Sequence, residues 1–187
     1  MNYFRLFLIF FVFFITENVL ADSRLQRILE NGEIRVGTTG DWNPMTMKDP
    51  TTNKYVGFEI DIVTKLAEDM GVKLVLIPTE WKTLVSGIVS DKYDLSTSAS
   101  LSVKRALSTG YTNSYFKLAI VPLTLRKNLS NFKGWDDINV LGVKVAVTLG
   151  TTQEQQAREI FPNSTLTVIE SPARDFQEVL AGRADVH

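Results

Sequence analysis

Two stretches of this sequence carry groups suited to holding an anion. The first, Ser96-Thr97-Ser98-Ala99-Ser100-Leu101-Ser102-Val103-Lys104-Arg105, clusters hydroxyls and then supplies a guanidinium. Arg105 could grip a carboxylate through two parallel hydrogen bonds while Ser98 and backbone amides complete the shell. An arginine on a short helix serves equally well as a solvated surface charge. The second stretch, Gly150-Thr151-Thr152-Gln153-Glu154, opens a helical pattern directly after a strand pattern, where free N–H groups and the positive end of the helix dipole favour an anion. No lysine follows, so it is not a phosphate loop of the G-x-x-x-x-G-K-[ST] kind. Glu154 has two readings. With Thr151 as N-cap it completes a capping box, and its role is then structural. At a ligand-facing helix start, desolvated by closure of the site, a glutamate gains a raised pKa and can act as general acid. Trp42 and Trp81 each follow a strand pattern. An indole offers a flat apolar face and one donor to a small organic ligand, or else simply packs under its loop.

The rest of the composition narrows the chemistry. The chain has 187 residues, 44% of them hydrophobic and 22% charged, which is the balance of a globular protein with one or two cores. Its 20 basic and 21 acidic residues leave no excess positive charge for phosphates, arguing against a nucleic-acid partner. With no cysteine, disulfides, thiolate metal sites and cysteine nucleophiles are excluded. The single histidine, His187, cannot build a histidine-based triad or a multi-histidine metal site. No metal and no cofactor is implied.

The elements that must position these groups alternate. Ile34 to Gly37 reads as a strand. Phe58 to Met70 has apolar residues at helical spacing and stops at Gly71. Val72 to Ile77 is the next strand, Trp81 to Val89 the next helix, and Tyr93 to Leu95 begins a third strand. Such a βαβαβ series demands a mainly parallel sheet covered by helices. Tyr115 to Leu125 reads as an extended connection, with Arg126 to Asp137 as a polar linker. The series then restarts with a strand at Val143 to Leu149, a helix at Thr152 to Ile160, a strand at Leu166 to Ile169 and a helix at Phe176 to Leu180; a further strand begins at Ala184 to Val186. In open α/β sheets ligands bind beyond the carboxyl ends of the strands, which selects the loops 38 to 47, 78 to 82, 96 to 105 and 149 to 154.

The start, MNYFRLFLIFFVFFITENVLA, has the form of a secretory signal peptide over residues 1 to 21. Its uninterrupted apolar run, Leu6 to Ile15, is too short to cross roughly 30 Å of hydrocarbon at about 1.5 Å per residue. The mature chain is expected to begin near Asp22, with lobe 1 over residues 22 to 118 and an incomplete lobe 2 over 119 to 187. A pattern that stops inside a strand is expected of a C-terminally truncated chain.

These residues together resemble the bacterial family 3 solute-binding proteins, the periplasmic receptors for amino acids. The resemblance rests on Gly-Thr-Thr-Gly-Asp-Trp-Asn-Pro at 37 to 44, Gly57-Phe58-Glu59-Ile60-Asp61-Ile62, Thr97-Ser98 through Arg105, Gly150 to Glu154, and Ala181-Gly182-Arg183-Ala184-Asp185. It implies a two-lobe, type II periplasmic-binding-protein fold that closes over an amino acid or related small carboxylate for a membrane ABC permease. Position by position, it implies that Trp42 and Trp81 flank the ligand side chain. Thr97, Ser98, Ser100 and Arg105 would hold the α-carboxylate, assisted by Thr152 and Gln153. The family's aspartate for the α-amino group falls beyond His187. The family commonly has tyrosine or phenylalanine where Trp42 and Trp81 stand. The opening Asp22 to Glu30 and Arg35 to Asp41 also resemble a catalytic branch of the same fold, the cyclohexadienyl dehydratases. On that reading Arg105 anchors a substrate carboxylate and Glu154 is the acid. A sensor domain of a larger signalling chain is a third reading.

Overall fold

The computed structural model describes residues 23–187. The expected signal peptide lies outside the described residues. Helix α1 (Arg24–Asn31) leads into β1 (Glu33–Thr38) and a small antiparallel meander of β2 (Asp41–Trp42), β3 (Thr46–Lys48) and β4 (Tyr55–Val56). Then come α2 (Phe58–Met70), β5 (Lys73–Pro78), a 3₁₀ turn (Trp81–Thr83), α3 (Leu84–Val89), β6 (Leu95–Ser96) and α4 (Val103–Ala106). Strands β5, β1 and β6 form one parallel sheet in that order, with β1 central. Ile34 and Val36 on β1 pack with Ile28 of α1 and Val63 and Ala67 of α2, so the first core sits between the helices and the sheet. Helix α2 forms where sequence periodicity places it, because residues at helical spacing share one buried face and Gly71, at φ +67°, ends it in the left-handed conformation that favours glycine.

The second lobe holds a 3₁₀ segment (Arg126–Asn131), α5 (Trp135–Ile138), β7 (Lys144–Thr148), α6 (Thr152–Ile160), β8 (Thr165–Ile169) and α7 (Asp175–Leu180). Strands β7 and β8 pair in parallel along their whole length. Val145 through Thr148 are buried at four successive positions, the mark of a strand covered on both faces. One face meets Ala157 of α6 and Phe161 just after it, the other Val179 of α7.

Tyr115 to Leu125 is the expected extended connection: it joins no named strand, Leu123 exchanges backbone hydrogen bonds with His187, and Thr124 bridges Val186, which pairs with Val145 of β7 as well. Two expectations are corrected. Residues 126 to 137 are not a plain linker, because Leu125 seeds the 3₁₀ turn and Asp137 accepts from the backbone N–H groups of Lys133 and Gly134 to start α5. The third strand begins at Leu95 rather than Tyr93. Tyr93 is fully buried, its hydroxyl donating to the carbonyl of Leu84 at 2.7 Å. Two glycines make room for that ring: a Cβ on Gly37 would lie 2.7 Å from it, and one on Gly87 would lie 2.2 Å away.

Beside Tyr93, Asp94 accepts from the backbone N–H and the guanidinium of Arg35, and Arg24 spans the carbonyls of Ile88, Tyr93 and Asp94. Burial pushes the Asp94 carboxyl up, but the bonds and charge of Arg35 outweigh it and hold it below the usual value of 3.8. A carboxyl depressed in the fold stabilises above its unfolded pKa, and that contribution is lost as pH falls through the folded value. Acid titration of stability should therefore show a loss below about pH 4 that Asp94→Asn removes. Gly87→Ala should destabilise the fold by about 1–3 kcal/mol in chemical denaturation, through the clash with the Tyr93 ring.

Candidate binding cleft between the lobes

The loops at the carboxyl ends of β1, β5 and β6 face those of β7 and β8 across an open cleft of about 800 Å³, which residues 116 and 118 to 122 also line. Trp42, Trp81, Ser98, Ser100, Arg105, Thr152 and Gln153 all line it. Thr97 and Glu154 do not. Thr97 is buried behind the loop with its hydroxyl unpartnered. The two tryptophans pack edge to face at 5.9 Å and 73°, so they form one aromatic corner rather than opposite walls with a side chain between them.

Each lobe-1 group is held by something beneath it. Glu59, in the first turn of α2 and 2% exposed, accepts from the backbone N–H of Ser98 at 3.1 Å and from the Ser98 hydroxyl. Tyr115 donates to the same carboxylate at 2.7 Å, and burial together with that carboxylate pushes the Tyr115 phenol well above its ordinary value. These bonds hold Ser98 at φ +66°, a left-handed conformation that a serine adopts only when its surroundings impose it. The Arg105 guanidinium donates to the carbonyl of Ser100 at 3.0 Å and, from its other terminal nitrogen, to the carbonyl of Gly150 at 2.9 Å. It therefore spans the lobes.

Three further contacts close the cleft. Gly150, at φ +80°, sits against the backbone of Lys82, and a Cβ there would lie 2.4 Å from the Lys82 Cα. Lys82 bonds Glu170 at 2.8 Å. Asp41 accepts from the Trp81 indole N–H at 3.0 Å and from the Ser171 hydroxyl at 3.1 Å, and pairs with Arg174 at 3.4 Å. Asp175 also lines the cavity, with His187 Nδ1 3.6 Å from its carboxylate. Burial lowers the His187 pKa, and the Arg174 charge adds to this against the pull of Asp175, so the imidazole is neutral near pH 7.

Glu154 faces the other way. Thr151 caps its N–H at 3.1 Å, its Oε2 accepts from the Gly150 N–H at 2.7 Å, and its Oε1 takes the Arg158 guanidinium at 2.8 Å. The glutamate reaches one residue beyond the N-cap amide that a capping box would satisfy, but it does the same work. Glu59, Asp41, Arg174 and Asp175 go beyond the residues singled out from sequence. The rule that selects loops at strand carboxyl ends applies equally to residues 170 to 175 after β8, which carry Arg174 and Asp175. Glu59 acts through a loop 39 residues away, a pairing that no local pattern announces.

Gly150→Ala should prop the lobes apart, through the approach to Lys82 and the cost of a side chain at positive φ. Small-angle scattering should give a larger radius of gyration, with cleft ligands bound about tenfold more weakly, a difference of about 1.4 kcal/mol.

The family described as bacterial extracellular solute-binding proteins, family 3, matches residues 34–170. A cyclohexadienyl dehydratase from Pseudomonas aeruginosa is 33% identical over 166 residues, covering 88% of this chain and 62% of the relative. The L-cystine-binding protein TcyJ of Escherichia coli K12 is 26% identical over 165 residues, 88% of this chain and 61% of its own. The chain thus spans about three fifths of the length of these relatives. The crystal structure of the ancestral amino acid-binding protein AncCDT-1, a precursor of cyclohexadienyl dehydratase, superposes with a TM-score of 0.83 at 36% identity, covering 88% of this chain and 72% of that one. The chain belongs to the bacterial extracellular solute-binding proteins, family 3.

Proposed function

We propose that this chain is the ligand-binding part of a periplasmic receptor, exported by residues 1 to 21, that captures an amino acid or related small carboxylate and presents it to an ABC permease. The observation that carries this reading is the cleft itself, lined from both lobes and containing an aromatic corner, hydroxyls and Arg105. Ligand contacts made from two lobes stabilise the closed form over the open one, and a membrane partner can read that difference. On this reading lobe 1 is residues 22 to 118 and lobe 2 begins at 119. Arg105 offers the α-carboxylate the donors left over from its two carbonyl bonds, alongside Ser98, Ser100, Thr152 and Gln153. Thr97 supports the loop from behind.

A second reading, a cyclohexadienyl dehydratase, draws on the identity to the Pseudomonas enzyme. It requires Glu154 to leave Gly150 and Arg158 and turn toward the cavity to protonate a departing hydroxyl.

One pair of measurements separates them. Calorimetric titration of amino acids should give saturable binding that Arg105→Ala weakens at least tenfold, as expected for loss of a charge-assisted pair. Prephenate turnover that Glu154→Gln abolishes would establish the enzyme instead. On the receptor reading Glu154→Gln leaves ligand affinity within about twofold and lowers stability by about 1 kcal/mol, the size of a lost helix cap.

A further inference from the structure

Two tyrosines outside the cleft brace the loop that lines it. Ser98 and Ser100 line the cavity, and Tyr111 and Tyr115, beyond α4 and on the way into the connection between the lobes, reach back toward them. The Tyr111 hydroxyl donates to the Ser100 carbonyl at 3.2 Å, the same carbonyl that anchors Arg105. Tyr115 acts at one remove. Its hydroxyl donates at 2.7 Å to Oε1 of Glu59, which also accepts the Ser98 N–H at 3.1 Å, while Oε2 takes the Ser98 hydroxyl. Two of these three donors belong to Ser98, and the third lies outside the loop. Without the phenol the buried carboxylate and Ser98 would be bonded to each other and free to shift together; with it the carboxylate is fixed to the connection. Phe58, beside Glu59, packs on Tyr115 and Phe116 with ring centroids 6.4 and 5.8 Å away, which seats the segment where the hydroxyl can reach. Phe116 lines the cleft and Tyr115 does not.

We infer that Tyr115 is a positioning residue for ligand capture: through Glu59 it holds Ser98 in the left-handed conformation it has at the cleft, and so ties the ligand-facing loop to the connection between the lobes. The inference rests on the reading of the cleft as a ligand site and adds a residue that governs affinity without touching the ligand. A serine at φ +66° relaxes when the bonds imposing that angle loosen. A glycine need not, because it populates positive φ unaided. The effect of removing the Tyr115 hydroxyl therefore depends on which residue stands at position 98.

Two measurements on the full chain and its Tyr115→Phe variant, which keeps the ring and loses only the hydroxyl, test this. The first is amide hydrogen exchange without ligand. Tyr115→Phe should speed exchange at the Ser98 N–H about tenfold while Val36 in β1 and Ala67 in α2 stay within about twofold, which also reports that the variant is folded. The second is calorimetric titration of the common amino acids, with Ser98→Gly and the double variant alongside. Tyr115→Phe should weaken the amino acid that binds by about fivefold, the weight of one hydrogen bond. In the Ser98→Gly background the same change should cost less than about twofold, because coupled positions are not additive. Equal losses in both backgrounds, or unchanged exchange at Ser98, would overturn the assignment and leave the receptor reading standing. If no amino acid binds, the reading of the cleft as an amino-acid site falls, and exchange at Ser98 alone upholds or overturns the tie to Tyr115.

Discussion

The carboxylate of Asp41 is the point on which the two lobes agree. From its own lobe it receives the Trp81 indole; from the other it receives Ser171 and Arg174. An anion desolvated between two packed surfaces is tolerable only when its acceptor sites are filled. Here they are filled completely only with the lobes together, since separation removes two of the three partners at once. The orientation of the aromatic corner is therefore tied to closure, because the group that fixes the Trp81 ring is the group that docks the opposite lobe.

Lobe 1 contributes a surface prepared in advance. Glu59 begins α2 and reaches the Ser98 loop, so the helix that builds the core also sets the conformation of a loop at the cleft. Lobe 2 contributes groups on two loops at the ends of β7 and β8, a parallel pair in which β7 is buried and β8 half-buried. Precision at the cleft thus comes from rigid elements, and the loops carry only the final few ångströms of placement.

The fold was legible wherever local pattern and burial agree. Helix α2 and helix α6 fall at the residues that periodicity assigns, because their apolar faces meet the sheet in the same register as the sequence repeat. The cleft loops were legible from the rule about strand ends. The misreadings have physical causes. Arg126 to Asp137 is polar enough to suggest a plain linker, but Asp137 accepts from the backbone N–H groups of Lys133 and Gly134 and so starts a short helix that composition does not announce. Asp41 and Arg174 are 133 residues apart, and the bonds joining them exist only in three dimensions. Trp42 and Trp81 were legible as cleft residues, while their edge-to-face contact follows from the reach of the β2–β3 hairpin, which no spacing encodes.

The contact between Gly150 and Lys82 is made by main chain on both sides. A junction of that kind has no opinion about which side chains surround it. Residues facing the cavity, apart from Arg105 and Arg174 whose side chains bridge the halves, can be exchanged one by one without altering this seat, so long as a glycine stays at that position. Retuning the chamber for another molecule, or for a reaction instead of capture, is then a matter of refurnishing a room whose door already shuts.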